Sequence, residues 1–191
     1  MVNNMENAKL LIAAKANINL ASPYSGLTPL MMAATRGHLN VAKSLIKHGA
    51  DVNVVNKQNK TALTLAMERH CSAFVKLLLE KGADLHLKDN LENKTLLMEA
   101  AEKGFADVVQ LLLEKGEDVN AREAIYGRTA LMFAAASGSK ETIKALLEKG
   151  ADLNLATTEG QTALDFARQN GRSNLVELLS TPLVSAEAAV A

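Results

Sequence analysis

The 191-residue chain is 48% hydrophobic but only 3% aromatic and has no Trp, so it can form a continuous core and this core must be aliphatic. Its 21 basic and 21 acidic residues balance, which leaves no basic excess for neutralising phosphates and predicts no nucleic-acid binding. No window approaches the ~18 uninterrupted apolar residues of a membrane span, so we expect no membrane partner.

The N-terminal segment, residues 1–20, has no basic start followed by a long apolar run, and it therefore predicts no signal peptide. A signal removed during processing would leave no trace in this sequence. The single cysteine, Cys71, excludes an intramolecular disulfide. Together these features favour a cytoplasmic (intracellular) location.

The stretch "TPLMMAATRGHLNVAKSLIKHGADVN" predicts two short helices joined by a turn. Thr28 is a good helix N-cap and Pro29 suits the first helical position. "RG" at 36–37 ends the first helix, and a second helix is expected over about residues 39–47, with Gly49 as its C-terminal stop. Apolar residues on one face of this second helix are Val41, Leu45 and Ile46.

The same block recurs along the chain. The aligned threonines are Thr28, Thr61, Thr95, Thr129 and Thr162, and the aligned glycines are Gly49, Gly82, Gly116 and Gly150. Each Thr precedes its Gly by 21 residues, whereas each Gly precedes the next Thr by 12 or 13. The variable segment is therefore expected to be a surface loop, and the helix pairs must stack to bury their apolar faces.

The segment "GLTPLMMAATRGHLNVAKSLIKHGADVN" resembles the ankyrin repeat, whose pattern runs G-x-TPLH-x-AA-x-x-GH, an apolar helix and GADVN. The resemblance covers about residues 8–182 and implies an all-α solenoid of stacked antiparallel helix pairs with protruding β-hairpin-like loops. We expect a single domain at 1–184 and a flexible tail at 185–191. Its parts are a half repeat at 1–20 and repeats at 21–54, 55–87, 88–121, 122–155 and 156–184.

Two departures from the family pattern concern polar groups. The family's His after "TPL" is replaced by Met31, Thr64, Met98, Met132 and Asp165. We therefore expect the polar network of that His to be absent and the methionines to fill the space. In the repeat that begins near residue 55, His70-Cys71 stands in place of the usual "GH", so this turn lacks its glycine.

The two ends of the array carry polar substitutions. Asn7 occupies a position that is Val41, Phe74 or Val108 in later units, and Ser180 occupies the position of Ile46 and its equivalents. Such changes are typical of capping units. Truncation of a longer array explains the N-terminal half repeat equally well.

No pattern for catalysis, metal binding or a cofactor is present. The four histidines lack metal-ligand spacing, one cysteine cannot build a zinc site, and no phosphate-binding or nucleophile motif appears. We therefore expect no enzyme activity, no cofactor and no metal. Cys71 is expected to be a small buried apolar residue, with a redox switch as the alternative.

By register, the resemblance implies partner contacts at the residue before each Thr and at the end of each first helix. These ten positions are Leu27, Lys60, Lys94, Arg128, Gln161, Arg36, Arg69, Lys103, Ser137 and Asn170, of which six are basic and none acidic. The enrichment has two explanations that carry equal weight. One is an acidic segment of a partner lying along the groove, and the other is ordinary solvated charge.

The loop tips carry the apolar residues Tyr24, Leu91, Ile125 and Tyr126. An exposed Tyr can anchor an interface, although either Tyr could instead pack on a neighbouring loop. The full set of predicted partner-binding residues is Tyr24, Leu27, Arg36, Lys57, Lys60, Arg69, Leu91, Lys94, Lys103, Tyr126 and Arg128.

The function expected from these features is a monomeric, non-enzymatic scaffold that binds another protein along its concave groove and loop tips. A second hypothesis is a targeting or substrate-recruiting module of a larger enzyme or effector whose active domain lies elsewhere. A hydrolase or ligand-binding activity ranks third, because it needs a closed pocket that a stacked array does not offer.

Overall fold

The computed structural model describes residues 17–85 and 94–180. The chain divides into two compact units, Met1–Asp89 and Asn90–Ala191, called the first and second unit below. The predicted tail and most of the predicted half repeat lie outside the described residues. The single-domain boundaries at 1–184 stay a prediction.

The secondary-structure elements of the described ranges are helices of seven to nine residues, so the predicted all-α class is confirmed. The first unit contains α1 (Pro29–Arg36), α2 (Leu39–Lys47), α3 (Ala62–Glu68) and α4 (Ser72–Glu80). The second unit contains α5 (Leu96–Glu102), α6 (Ala106–Glu114), α7 (Ala130–Ser137), α8 (Lys140–Glu148), α9 (Ala163–Gln169) and α10 (Ser173–Ser180). No helix among these residues is both long enough and apolar enough to cross a membrane.

Threonine begins the first helix of each repeat. The hydroxyl oxygen of Thr28 accepts a hydrogen bond from the Met31 N–H at 3.3 Å, with Pro29 at the first helical position as predicted. This bond satisfies one of the backbone donors that a helix start leaves unpaired. Thr129 precedes α7 in the same extended conformation but makes no side-chain cap bond.

Glycine in a left-handed conformation ends the second helix of four repeats, α2, α4, α6 and α8. At the end of α2, Gly49 has φ +93°, its N–H donates to the Ile46 carbonyl at 3.1 Å, and the Ala50 N–H donates to the Leu45 carbonyl at 3.0 Å. This pair of bonds is the Schellman arrangement, which closes a helix at a glycine. The same two bonds recur at Gly82, Gly116 and Gly150.

Leucine and alanine make up most of the core. Ala34, Ala66 and Ala101 have no exposed surface, which lets neighbouring first helices pack closely: α1 packs on α3, α5 on α7 and α7 on α9. Met31, Met98 and Met132 are buried as predicted. On α2 the buried residues are Ala42 and Leu45, whereas Val41 and Ile46 are only half-buried, so the apolar stripe is narrower than the expected face.

The prediction that polar bonding is lost at the family's His position is wrong for two repeats. The Thr61 and Thr64 side chains each accept a hydrogen bond from the other's backbone N–H, and Thr162 and Asp165 do the same. Both pairs are capping boxes. The position therefore keeps a polar role where a short oxygen-bearing side chain replaces the His.

Asparagines connect consecutive repeats within each unit. The Asn53 side chain donates to the Gly82 carbonyl at 3.3 Å and accepts from the Asp84 N–H at 2.9 Å. Asn120 does the same with Gly150 and Asp152, at 3.2 and 2.9 Å. These bonds pair backbone groups left open after each second helix, and they fix the start of each loop that carries the candidate site.

Candidate functional site

The loops between repeats are hairpin-like, as predicted. In the first unit the Ser22 N–H donates to the Leu27 carbonyl and the Asn56 N–H to the Lys60 carbonyl, both at 2.9 Å. In the second unit the Glu123 N–H donates to the Arg128 carbonyl at 3.0 Å and the Thr157 N–H to the Gln161 carbonyl at 2.9 Å. These bonds close each loop into a hairpin.

Neighbouring tips within a unit touch each other. The Lys57 N–H donates to the Ser25 carbonyl at 3.4 Å, and the Lys57 ammonium donates to the Pro23 carbonyl. Gly26 has φ +70°, and a Cβ there would lie 2.8 Å from the Lys57 nitrogen, so this close approach requires glycine. In the second unit the Thr158 N–H donates to the Tyr126 carbonyl at 2.9 Å.

Tyr24 and Tyr126 differ in their surroundings. Tyr24 is 92% exposed, so it does not pack on its neighbouring loop. Tyr126 is 45% exposed, and the Arg128 guanidinium lies 4.9 Å from its ring centroid. In register, four residues before the helix-capping Thr, the counterpart of Tyr24 is Ile125, which is also exposed.

The predicted basic residues of the first unit fall into two groups. Lys60 forms an ion pair with Glu68, and Lys57 is bonded to the first hairpin. Arg36 and Arg69, at the same position of consecutive repeats, are exposed and form no ion pair with any described residue. Leu27 is half-buried at the base of its hairpin.

The predicted basic residues of the second unit are largely engaged. Lys94 pairs with Glu102 at 2.8 Å and lies 4.3 Å from the Phe133 ring centroid. Lys103 is half-buried at the C-cap of α5. Leu91 lies outside the described residues. The described basic residues predicted in the second unit therefore do not form a continuous line of exposed positive charge.

Glu123 is a residue that register reasoning missed. It is 2% exposed, and its carboxylate accepts hydrogen bonds from the N–H groups of Ile125, Tyr126 and Arg128 at 2.7 to 3.2 Å. The Arg128 Nε also donates to it at 3.1 Å. Burial disfavours the charged carboxylate, but these four donors outweigh burial and lower the pKa of Glu123 below its usual 4.5. Arg128, predicted as a partner contact, therefore also organises its own hairpin.

Aromatic rings surround Arg128. Its guanidinium lies 4.8 Å from the Phe133 centroid as well as close to Tyr126. Beside it is a cavity of about 150 Å³. The lining residues are Tyr126, Arg128, Thr157, Glu159, Gln161 and Phe166. The cavity is large enough for one side chain of a partner.

Cys71 is half-buried at the N-cap of α4, less enclosed than predicted, because this position ends a turn rather than facing the helix interior. Its N–H donates to the Ala66 carbonyl at 3.2 Å. Across the residues that the structure describes, no three His, Cys, Asp or Glu side chains are grouped to hold a metal ion.

The balanced total charge hides a division between the two units. Residues 17–85 contain eight basic and four acidic residues, whereas residues 94–180 contain ten basic and thirteen acidic residues. The described part of the first unit is therefore +4 and that of the second unit is −3. Positive charge suited to an acidic partner is concentrated in the first unit.

Comparison with known proteins identifies the family. A family model described as "Ankyrin repeats (3 copies)" matches residues 1–89 and 97–187. The chain belongs to the ankyrin-repeat family. Ankyrin repeats typically mediate protein–protein interactions and are typically non-catalytic.

Similar ankyrin-repeat proteins come from distant organisms. The "Ankyrin repeat and KH domain-containing protein mask" of Drosophila melanogaster is 40% identical over 86 residues, 44% of this chain and 2% of that protein. A "Putative ankyrin repeat-containing protein" of Treponema pallidum (strain Nichols) is 38% identical over 86 residues, 45% of this chain and 29% of that protein. Inversin of Gallus gallus is 35% identical over 79 residues, 41% of this chain and 7% of that protein. The matched region thus spans less than a third of each of these relatives.

Proposed function

We propose that this ankyrin-repeat chain is a non-enzymatic, monomeric scaffold of the cytoplasm, and that its first unit binds an acidic segment of a partner protein. The observation that carries the proposal is the pair Arg36 and Arg69. These guanidinium groups occupy the same position in consecutive repeats, are exposed, and form no ion pair among the described residues. An arginine fork suits carboxylates because it donates two parallel hydrogen bonds.

The hairpin tips complete the proposed surface of the first unit. Tyr24 is the most exposed large apolar side chain among the described residues, and a rigid aromatic of this kind makes a good interface anchor. Lys57 and Lys60 lie on the next hairpin, and Leu27 lies at the base of the first. Because the hairpins are cross-bonded before binding, little loop entropy is lost when a partner docks.

The second unit has a different proposed role. Lys94 and Arg128 are paired with carboxylates, so Lys94, Lys103, Tyr126 and Arg128 would contribute aromatic and polar contacts more than charge. The 150 Å³ cavity beside Tyr126 accepts a partner side chain. Leu91, outside the described residues, stays a predicted partner contact.

Charge reversal tests the proposal. Arg36→Glu and Arg69→Glu, singly and together, should reduce the amount of partner captured from a lysate by the immobilised full chain by about tenfold or more. The matched control for each single variant is Lys76→Glu, which changes the charge equally but lies exposed on α4. Capture is quantified by mass spectrometry at 150 mM NaCl. Proteins retained equally by all variants would refute the arginine surface.

A second function is favoured by the short fraction of each relative that the chain matches. In this alternative the chain recruits a partner or substrate for an active domain elsewhere in a longer protein. Detection of the native protein with an antibody raised against this chain separates the two. A mass near 20.4 kDa supports the free scaffold, and a much larger mass supports the recruiting module.

A further inference from the structure

The first unit contains a groove that the surface proposed above does not use. It lies between α2 and α4, has a volume of about 530 Å³ and is lined by Lys43, Ile46, Lys47, Leu77 and Lys81. We call it the lysine groove. Three ammonium groups thus surround a floor made of one isoleucine and one leucine.

The positive charge of the lysine groove departs from the repeat pattern. In register, 19 residues after the capping Thr, Lys47 takes the place of Glu80, Glu114 and Glu148. In α4 and α8 that Glu lies one turn after a Lys, which is a favourable spacing for opposite charges. In α2 it is Lys47 that follows Lys43 by one turn, and like charges at this spacing destabilise a helix. The first of these repeats therefore carries a positive charge at the position where the three other repeats carry a negative one.

The accessible part of the floor of the lysine groove is Ile46, since Leu77 is only 8% exposed. Ile46 is half-buried, as is Leu113 at the same register, whereas Leu79 and Leu147 at that register are 1% and 8% exposed. Accessible apolar surface surrounded by like charges is stabilised by a ligand that covers the apolar part and supplies the opposite charge.

We propose that the lysine groove binds an acidic amphipathic helix of a partner protein. Leucine-like side chains of that helix would cover Ile46 and Leu77, and its carboxylates would pair with the three lysines. The +4 charge of residues 17–85 favours the approach of such a segment. An anionic membrane fits less well, since a flat surface cannot enter a groove. The exposed large apolar residues that the structure describes lie on loops and not beside this groove.

A synthetic peptide tests the proposal directly. The probe is a fluorescein-labelled helix of about 18 residues, with leucines spaced to form one stripe and glutamates on the remaining positions, measured by fluorescence anisotropy at 150 mM NaCl. Lys47→Glu should weaken its binding about fivefold to tenfold, because one exposed ion pair is replaced by repulsion. Lys76→Glu, on α4 but outside the groove lining, should leave binding unchanged. A peptide with alanine in place of leucine should bind at least tenfold more weakly.

The Lys47→Glu variant is chosen because it introduces the residue that three other repeats carry, so its folding is not in question. Its urea unfolding midpoint should equal or exceed that of the wild type. Arg36→Glu with Arg69→Glu lowers the charge of residues 17–85 from +4 to 0 and should therefore slow peptide association, but it should weaken the affinity less than Lys47→Glu alone, because neither arginine lines the groove. This difference separates failure of the groove from failure of the surface proposed above. Equal affinity for the leucine and alanine peptides would overturn the proposal. So would Lys47-dependent sedimentation with phosphatidylserine vesicles in the absence of peptide binding.

Discussion

Glu123 shows how one buried carboxylate organises a hairpin. Its two oxygens receive three backbone N–H groups and the Arg128 side chain, so the charge is compensated inside the loop. Arg128 is thereby held between the Tyr126 and Phe133 rings. The position of a predicted partner contact therefore depends on a residue outside the regular pattern.

Replacing Glu123 with Gln should lower the free energy of unfolding by about 2 kcal/mol at pH 7, because one charged acceptor serves four donors. The folded-state pKa of Glu123 is below 4.5. Its stabilisation is therefore complete above pH 4.5 and is lost as the pH falls through the lower folded pKa. The difference between wild type and variant should shrink at pH 3, measured by urea unfolding at both pH values. The control is Glu159→Gln in the next hairpin. An equal difference at both pH values would contradict the ionic role.

The structural location of a residue could be predicted where it occupies a regular position of the repeat. The location of a residue in the variable loop could not be predicted. Arg128 directly precedes a capping Thr, so register alone places it on the hairpin. Glu123 lies in the segment whose length changes between repeats, where alignment gives no position. The sequence feature that could have indicated its role is an acidic residue five positions before an arginine, in a loop that is one residue longer than two of the other loops. The ion pairs of Lys60 and Lys94 were hidden for a similar reason, because residues eight apart become neighbours only once the hairpin meets its helix.

At the scale of single elements, helix limits follow from capping chemistry. The predicted second helix over residues 39–47 is the observed α2 (Leu39–Lys47), because capping Thr and left-handed Gly fix the repeat on both sides. The turn between α3 and α4 differs: His70 takes φ +55° where Gly37 has φ +67°. A side chain with a Cβ is strained in this region.

His70→Gly should therefore raise the free energy of unfolding by about 0.5 to 1 kcal/mol, since relief of strain exceeds the added flexibility of the unfolded chain. His48→Gly is the matched control. His48 has φ −100° at the C-cap of α2, so glycine relieves nothing there and stability should fall. Urea unfolding followed by circular dichroism measures both. A loss of stability in His70→Gly would show that contacts of the His70 side chain outweigh its strained backbone.

At the scale of the whole molecule, the stacking of helix pairs could be predicted from the sequence because the repeated blocks cannot bury their apolar faces alone. The family could be predicted because the repeated motif resembles the ankyrin pattern. The partner could not be predicted, because the core and capping residues recur from repeat to repeat while the predicted partner-contact residues differ between repeats. The total charge does not describe how charge is distributed at this scale. A total of zero leaves room for local patches, and residues 17–85 and 94–180 carry +4 and −3. The positive first unit attracts acidic partners, and the opposite charges of the two units allow copies of the chain to attract each other.

This division predicts weak association between copies of the chain at low salt, although we propose a monomer at physiological salt. The positive first unit of one molecule attracts the negative second unit of another, and a net charge near zero provides no general repulsion. The second virial coefficient from static light scattering at pH 7 should be negative at about 0.01 M salt. It should rise at about 0.15 M, where the screening length falls from about 30 to 8 Å. Reversing two exposed acids of the second unit, Glu141→Lys with Glu148→Lys, should abolish the low-salt attraction. Attraction that survives in this variant and in high salt would instead implicate the exposed apolar tips at Tyr24 and Ile125.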